Sequence, residues 1–184
     1  IKDVAELFRV CRRVVPTDPS RLRLVRTLLS CHDRLVIFYN FNYELEILRT
    51  LDDETEVAEW NGHNKDPLPQ GERWVYLVQY QAGAEGWNCT STDAMILWSL
   101  TYSYKNFCQS LGRIDRLDTP YKNLYYYILV SNSIVDRAVR QSLASKTAFN
   151  ERKFIAEWTK KERESEGLWK AEDDFSGFDT DFEI

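Results

Sequence analysis

The sequence lacks most of the features that identify a protein class at first sight. It has no apolar run that approaches the roughly 18 residues of a membrane-spanning helix, so we expect no membrane partner. Its four cysteines include no Cys-x-x-Cys pair, and its two histidines have no ligand-like spacing to them, so we predict no metal site and free thiols in a reducing cytosol. None of its seven glycines precedes a lysine, which excludes a phosphate-binding loop of the G-x-x-x-x-G-K-S/T type.

The charge balance also excludes a small protein that binds nucleic acid by electrostatics alone. The chain has 24 basic and 29 acidic residues, whereas such a protein needs a basic surface. Hydrophobic residues make up 43% of the 184 residues and aromatic residues 14%, which is enough for one substantial core. This length predicts one domain, or one domain with an appendage. The chain begins with Ile1 directly in a helical pattern, and we expect it to be part of a longer protein.

Apolar, β-rich runs alternate with helical patterns along most of the chain. We predict strands at 35–39, 57–60, 74–78, 94–100 and 124–130. A helical pattern of about thirty residues follows from Ile134. Because continuous apolar runs are typical of strands buried on both faces, the pattern predicts an α/β fold with a mostly parallel central sheet and C-terminal helices. We expect the domain to span residues 1–166 and residues 167–184 to form an acidic, aromatic tail.

The first stretch that suggests chemistry is QAGAEGWN, residues 81–88, directly after the predicted strand 74–78. In open α/β sheets, ligands bind outside the carboxyl ends of the strands, where backbone N–H groups at a turn face an anion. Gly83 and Gly86 in this stretch are compatible with such a site. They are equally compatible with a turn that needs glycine for conformational reasons alone.

The second stretch, QSLGRIDR, begins at Gln109 and is more specific. Arg113 and Arg116 are three residues apart and therefore lie on one face of a helical turn, with Gln109 one turn earlier on roughly the same side. Planar, permanently charged guanidinium groups suit polyphosphate oxygens, since each can bind two acceptors. The alternative is a pair of surface arginines that form ion pairs with Asp115 and Asp118.

The order of these parts resembles the second RecA-like domain of superfamily 2 helicases and translocases. The stretches IFYN, GAEGWN and QSLGRIDR match motifs IV, V and VI of that family in order and approximate spacing. The branch that they most resemble is the Swi/Snf-like group, whose motifs read G-G-x-G-L-N and Q-x-x-G-R-x-x-R-x-G-Q, and phage-type DNA helicases of this group are similarly short. Ala84 and Trp87 depart from the fifth motif, and Asp115, Leu117 and Asp118 depart from the sixth. The choice between strand separation and double-strand translocation therefore stays open.

The resemblance implies a RecA-like three-layer α/β/α domain that forms the C-terminal half of an ATP-dependent DNA helicase or translocase. ATP and Mg²⁺ would be bound mainly by the N-terminal RecA-like domain of the same protein, so that this chain alone is expected to be inactive. Arg113 and Arg116 would act as arginine fingers, and Gln109 would help to orient the γ-phosphate or the attacking water. The residues expected near the nucleotide are Gly83, Glu85, Gly86 and Asn88.

The resemblance also implies that nucleic acid contacts the turns after the first strands. Such contacts go to phosphates and are independent of base sequence. The expected residues are Asn40, Asn42, Asn61, Gly62 and Gln81. DNA, either single- or double-stranded, is the expected substrate, in the cytoplasm, in the host cytoplasm for a viral protein, or in the nucleus for a eukaryotic one.

Two alternatives to a motor domain stay open at this point. One is a non-catalytic RecA-like module that binds protein or nucleic acid, with the acidic tail as its docking segment. The other is a free-standing α/β domain for a nucleotide or flavin. The missing phosphate-binding loop and the missing dinucleotide fingerprint argue against the second.

Overall fold

A computed structural model describes residues 4–53, 55–83 and 87–164 of the chain. The chain divides into two compact units, residues 1–150 and residues 151–184. The predicted tail at 167–184 lies outside the described residues, as do Glu85 and Gly86. Within the described ranges, no helix is both long enough and apolar enough to cross a membrane.

The first unit is built from six helices and five strands among its described residues. They are α1 (Val4–Val14), α2 (Pro19–Leu28), β1 (Arg34–Tyr39), α3 (Asn42–Leu48), β2 (Glu56–Trp60), β3 (Trp74–Gln79), α4 (Tyr80–Gly83), β4 (Ala94–Leu97), α5 (Tyr104–Leu111), β5 (Tyr125–Ile128) and α6 (Ile134–Ala144). A 3₁₀ helix, Arg49–Asp53, extends α3. The second unit contains α7 (Glu151–Glu164), in which the Phe154 and Trp158 rings pack one turn apart at 5.8 Å.

The strands form one sheet in the order β2-β3-β1-β4-β5, and every neighbouring pair is parallel. This confirms the predicted α/β fold with helices around a parallel central sheet. In the register of the sheet, Val36 of β1 lies opposite Tyr76 of β3 and Met95 of β4. Since all strands point the same way, the turns that follow them meet at a single edge.

Both faces of the sheet are covered, which explains why its strands are continuously apolar. On one face, Leu35 and Ile37 of β1 belong to a buried cluster with Val25 of α2 and Leu45 and Leu48 of α3. A residue buried in this way contributes roughly 1.5–3 kcal/mol relative to its exposed state. The cluster therefore supplies much of the free energy that holds α2 and α3 to the sheet.

The opposite face packs against the segment after β3 and against α5. The Trp87 ring lies against Phe38 of β1 and Tyr76 of β3, with ring centroids 6.1 and 5.4 Å away. The Tyr126 hydroxyl of β5 donates a hydrogen bond to the Leu111 carbonyl at the end of α5, at 3.2 Å. The residues that carry the fifth and sixth motifs are thus attached to the same face of the sheet.

Side chains before the helices fix where several of them begin. Asp18 accepts a hydrogen bond from the Ser20 amide at 2.7 Å, and Pro19 occupies the first position of α2. Ser103 and Ser133 cap α5 and α6 in the same way. Such a cap stabilises a helix by about 1 kcal/mol because it satisfies an amide that has no partner in the helix.

The structure corrects the predicted element ends in two places. Strands β4 and β5 end three and two residues earlier than the predicted 94–100 and 124–130. The helical pattern from Ile134 is interrupted after α6, where Lys146 adopts a left-handed backbone with φ of 56° and its amide bonds to the Leu143 carbonyl. Glycine normally marks such a helix end, so a lysine there left no signal in the sequence.

A buried arginine ties three elements together beside the ends of β4 and β5. Arg21 of α2 is 8% exposed and donates from Nη1 to the carbonyls of Trp98 and Leu129. Its Nη2 lies 3.5 Å from a carboxylate oxygen of Asp136 on α6. Burial lowers the pKa of Arg21, and the nearby carboxylates of Asp136 and Glu44 oppose this shift.

We expect Arg21→Ala to lower the free energy of unfolding by about 3 kcal/mol, because it leaves two buried carbonyls without this donor and removes the cation beside Asp136. Urea denaturation followed by tryptophan fluorescence measures this change as a lower midpoint at constant slope. Arg23→Ala, on the exposed side of the same helix, is the matched control and should change stability by less than about 0.5 kcal/mol. Equal effects of the two substitutions would contradict the structural role of Arg21.

Candidate functional site

The direction of the strand connections reverses between β1 and β4. The chain leaves β1 towards β2 on one side of the sheet and leaves β4 towards β5 on the other. Two adjacent strands whose connections diverge in this way mark the usual ligand-binding position of an open α/β sheet. The turn after β1 contains Asn40, and the turn after β4 contains Ser99.

These two turns are hydrogen-bonded to each other. The Asn40 amide group donates to the Ser99 hydroxyl at 2.8 Å and to the Leu100 carbonyl at 3.0 Å. Glu44 of α3 accepts from the Asn40 backbone N–H at 2.8 Å and from the Ser99 hydroxyl at 3.0 Å. The half-buried Asn40 side chain therefore joins the turn after β1 to the turn after β4.

Glu44 is fully buried and was not identified from the sequence. Burial raises the pKa of its carboxyl group, and hydrogen bonds from Asn40, Phe41 and Ser99 oppose that shift. Its Oε1 atom has no hydrogen-bond partner among the described residues. The one available signal was its position at the third residue of a helix, where a glutamate side chain reaches back to the preceding amides.

Gly83 ends the short helix that follows β3. A Cβ atom at this position would lie 2.5 Å from Val78 Cγ1 and 2.9 Å from Phe38 Cε1. The glycine is therefore required by close packing against β1 and β3. This packing requirement differs from the conformational reason considered from the sequence, and a role at the nucleotide stays a prediction for Gly83, as it does for Glu85 and Gly86.

The segment that carries the end of the fifth motif is bonded directly to the sixth. The Cys89 amide donates to the Arg113 carbonyl at 3.0 Å, and Arg113 Nη1 donates to the Trp87 carbonyl at 3.1 Å. Arg116 Nη2 donates to the Asn88 side-chain carbonyl. The structure thus brings together Asn88 and both arginines, which the sequence had singled out separately. The predicted helical turn is wrong, since α5 ends at Leu111 and both arginines lie in the loop beyond it.

The electrostatic surroundings of the arginine pair favour an anion. Burial lowers the pKa of Arg113, and repulsion by Arg116 lowers it further. Both side chains are half-buried. An anion placed between the two guanidinium groups would offset both effects, since it stabilises the charged form.

Two polar side-chain atoms of the stretch QSLGRIDR are buried. Arg116 Nε and Gln109 Oε1 have no hydrogen-bond partner within the described ranges. Buried donors and acceptors without partners are uncommon and call for an explanation such as a bound ligand or water. The alternative that Arg116 pairs with Asp115 or Asp118 does not hold in the described part of the chain, where its side chain bonds to Asn88 instead.

The residues predicted to contact nucleic acid differ in their exposure. Asn42 and Gln81 are exposed, and a Cβ atom at Gly62 would meet no atom within 4 Å. Asn61 is only 5% exposed, and its side-chain carbonyl accepts from the amides of His63 and Asn64 at 2.9 Å each. These hydrogen bonds to Asn61 therefore stabilise the conformation of the loop after β2.

A buried carboxylate supports that loop from beneath. Glu59 accepts two hydrogen bonds from Arg49, at 2.5 and 2.8 Å, and one each from the side-chain amides of Asn61 and Asn64 at 3.1 Å. The bond from Arg49 holds the pKa of Glu59 below its usual value. Glu59 was not identified from the sequence either, because its partners are brought to it only by the fold.

Comparison with known proteins establishes the fold. No protein-family model and no curated protein sequence matches the chain. Among solved structures, the chain is similar to the crystal structure of the C-terminal part of the Fun30 ATPase domain, with a TM-score of 0.60 and 16% sequence identity. The match covers 73% of this chain and 47% of that one, so the chain spans about half the length of this structural neighbour. The chain thus shares its α/β fold, with a parallel central sheet, with that structure.

We expect the contribution of Glu59 to stability to depend on pH. A carboxyl group whose pKa is lowered by folding stabilises the protein above its unfolded pKa of about 4.3, and this stability is lost as the pH falls through the folded pKa. Glu59→Gln should therefore lower the free energy of unfolding by about 1 kcal/mol at pH 7, and by much less near pH 3. Urea denaturation at both pH values tests this.

The matched control for Glu59 is Glu72→Gln, which removes an exposed carboxylate in the same connection between β2 and β3. It should leave stability nearly unchanged at either pH. A destabilisation by Glu59→Gln that stays constant from pH 7 to pH 3 would contradict the role assigned to the ionised carboxylate.

Proposed function

We propose that this chain is the C-terminal motor domain of an ATP-dependent DNA helicase or translocase of the Swi/Snf-like kind. The observation that carries the proposal is the junction of Arg113 and Arg116 with consecutive residues, Trp87 and Asn88. Two stretches that were chosen independently for phosphate chemistry are thus found in one place. The phage-type assignment stays a prediction, and the choice between strand separation and translocation stays open.

The residues at this junction suit the phosphates of a nucleotide. Arg116 Nε is a buried donor without a partner among the described residues, and burial, together with repulsion by Arg116, lowers the pKa of Arg113. Mg²⁺–ATP would supply the phosphoryl group that is transferred. The N-terminal RecA-like domain would make most of the protein contacts with it. Within this chain, Arg113 and Arg116 donate N–H groups to negative charge that develops on the phosphates, and the Gln109 carbonyl orients a water molecule or the γ-phosphate.

Movement of nucleic acid follows from closure of the two domains. Arginines supplied by one domain reach the nucleotide on the other only when the cleft between them is closed. Hydrolysis and product release then open and close the cleft in turn, which moves a strand bound across both domains. In this chain, Asn42, Gly62 and Gln81 are the exposed predicted contacts, while Asn40 and Asn61 shape the turns that present them.

The direct test uses the protein joined to its upstream domain. Arg113→Ala and Arg116→Ala should each lower DNA-stimulated ATP turnover by about 10³-fold or more, the range known for arginine fingers. The affinity for ATP should change little, because the phosphate loop lies in the other domain. Lys122→Ala, which removes an exposed cation after the sixth motif, is the control and should retain full turnover.

Turnover that survives both arginine substitutions would refute the motor assignment. In that case the non-catalytic module would be the better account, and the chain would bind DNA or protein equally well with or without its arginines. The 184-residue chain alone is expected to hydrolyse no ATP, since it has no phosphate-binding loop.

The exposed residues predicted to contact nucleic acid can be tested separately from the arginines. The double substitution Asn42→Ala with Gln81→Ala should weaken DNA binding by about 10-fold, because it removes two neutral hydrogen-bonding groups. The slope of the binding constant against salt concentration should not change, since no cation is lost. Fluorescence anisotropy with a labelled duplex and a labelled single strand measures both quantities.

The control for this double substitution is Gln141→Ala, which removes an exposed glutamine of α6. It should bind DNA as the wild type does. Unchanged affinity in the double variant would show that DNA does not bind through Asn42 and Gln81, whatever the outcome for the arginines.

A further inference from the structure

Asn88 contacts an arginine of the sixth motif through its side chain. Its carbonyl oxygen accepts a hydrogen bond from Arg116 Nη2. Among the described residues, it is the one acceptor of a hydrogen bond from that guanidinium group. The resemblance implies that Asn88 lies near the nucleotide, whereas in the structure its side-chain oxygen is engaged by Arg116.

We propose that Asn88 is a positioning residue, which holds Arg116 in the orientation needed for phosphoryl transfer and does not bind the nucleotide. This inference rests on the function proposed above. It assigns to Asn88 an effect on the turnover rate and no direct effect on nucleotide affinity.

Arg116 needs such support because its own backbone gives it little. Gly112 ends α5, so Arg116 lies in the loop beyond the helix, and its neighbour Leu117 is fully exposed. A free arginine side chain loses rotamer entropy when it is fixed. A hydrogen bond that fixes it beforehand removes part of this cost from the reaction.

The segment that carries Asn88 is itself firmly held. Trp87 is 7% exposed and packs against the rings of Phe38 and Tyr76, and Cys89 is fully buried. The Cys89 amide is bonded to the Arg113 carbonyl at 3.0 Å. The exposed Asn88 is therefore flanked on both sides by buried residues that are packed or hydrogen-bonded to the rest of the fold.

The chemistry of the amide also fits a positioning role. A neutral carbonyl oxygen directs one N–H group of Arg116 and leaves the positive charge and the remaining donors, including Nε, available for an anion. A carboxylate at this position would neutralise that charge and compete with phosphate. An apolar side chain would leave Arg116 without its acceptor.

The first test measures the restraint directly on the 184-residue chain. Nuclear magnetic resonance of ¹⁵N-labelled arginine side chains reports rotation of each guanidinium group, and the Arg116 signal is assigned by its loss in Arg116→Lys. We expect restricted rotation in the wild type, fast rotation in Asn88→Ala, and restricted rotation again in Asn88→Asp. Asn123→Ala, which removes an exposed asparagine, is the control and should behave as the wild type.

The second test measures ATP turnover in the protein joined to its upstream domain. Asn88→Ala should lower kcat by about 10-fold and leave KM for ATP unchanged. Asn88→Asp should also lower kcat, although Arg116 stays restrained, because the carboxylate neutralises its charge. In an Arg116→Lys background with residual turnover, Asn88→Ala should cause no further loss, since Asn88 acts through Arg116 alone.

Three results would overturn the proposal. A raised KM with unchanged kcat in Asn88→Ala would make Asn88 a nucleotide ligand, with the motor function intact. Unchanged rotation of Arg116 in Asn88→Ala would show that the amide does not hold it. Absence of turnover in the wild type, with Arg116 restrained as expected, would refute the motor function and with it the role of Asn88 in catalysis.

Discussion

The candidate site depends on the hydrogen bonds between residues 87–89 and residues 113–116. Each of these stretches follows a different strand, β3 or β4, and neither belongs to regular secondary structure. The main-chain bond from Cys89 to Arg113 fixes their separation, and the side chains of Arg113 and Arg116 then reach Trp87 and Asn88. Because Trp87 packs on β1 and β3, the sheet itself sets the position of the arginine pair.

The parallel sheet imposes the second constraint, since it gathers every post-strand turn at one edge. That edge is held together by buried charges. Glu44 links the turns after β1 and β4, and Arg21 holds the carbonyls of Trp98 and Leu129 near the same strand ends. Glu44 and Arg21 also attract each other, which offsets part of the cost of burying both. The arrangement gives a rigid edge on which exposed residues such as Gln81 are presented.

The sequence was sufficient for the α/β fold, and the reason is physical. A strand buried on both faces must be continuously apolar, so β1 and β3 were visible as runs of such residues. The sequence was not sufficient for the arginines, which it placed on one face of a helical turn although α5 ends at Leu111 and both lie in the loop beyond it. Features that depend on tertiary contacts were not visible. The left-handed backbone at Lys146 could not be predicted because the residue there is not glycine. Asn61 is of a residue type common in exposed loops, although the fold buries it. Glu44 and Glu59 acquire their roles only from partners that are distant in the sequence, such as Ser99 for Glu44.

The central claim is that Arg113 and Arg116 face a triphosphate carried by another domain. The most direct measurement is an experimental structure of the protein joined to its upstream domain, with ADP and aluminium fluoride bound as an analogue of the transition state. The account predicts that both guanidinium groups lie within about 3 Å of the analogue's oxygen or fluorine atoms, while Arg116 keeps its bond to Asn88. A closed complex in which both arginines stay away from the analogue would contradict it.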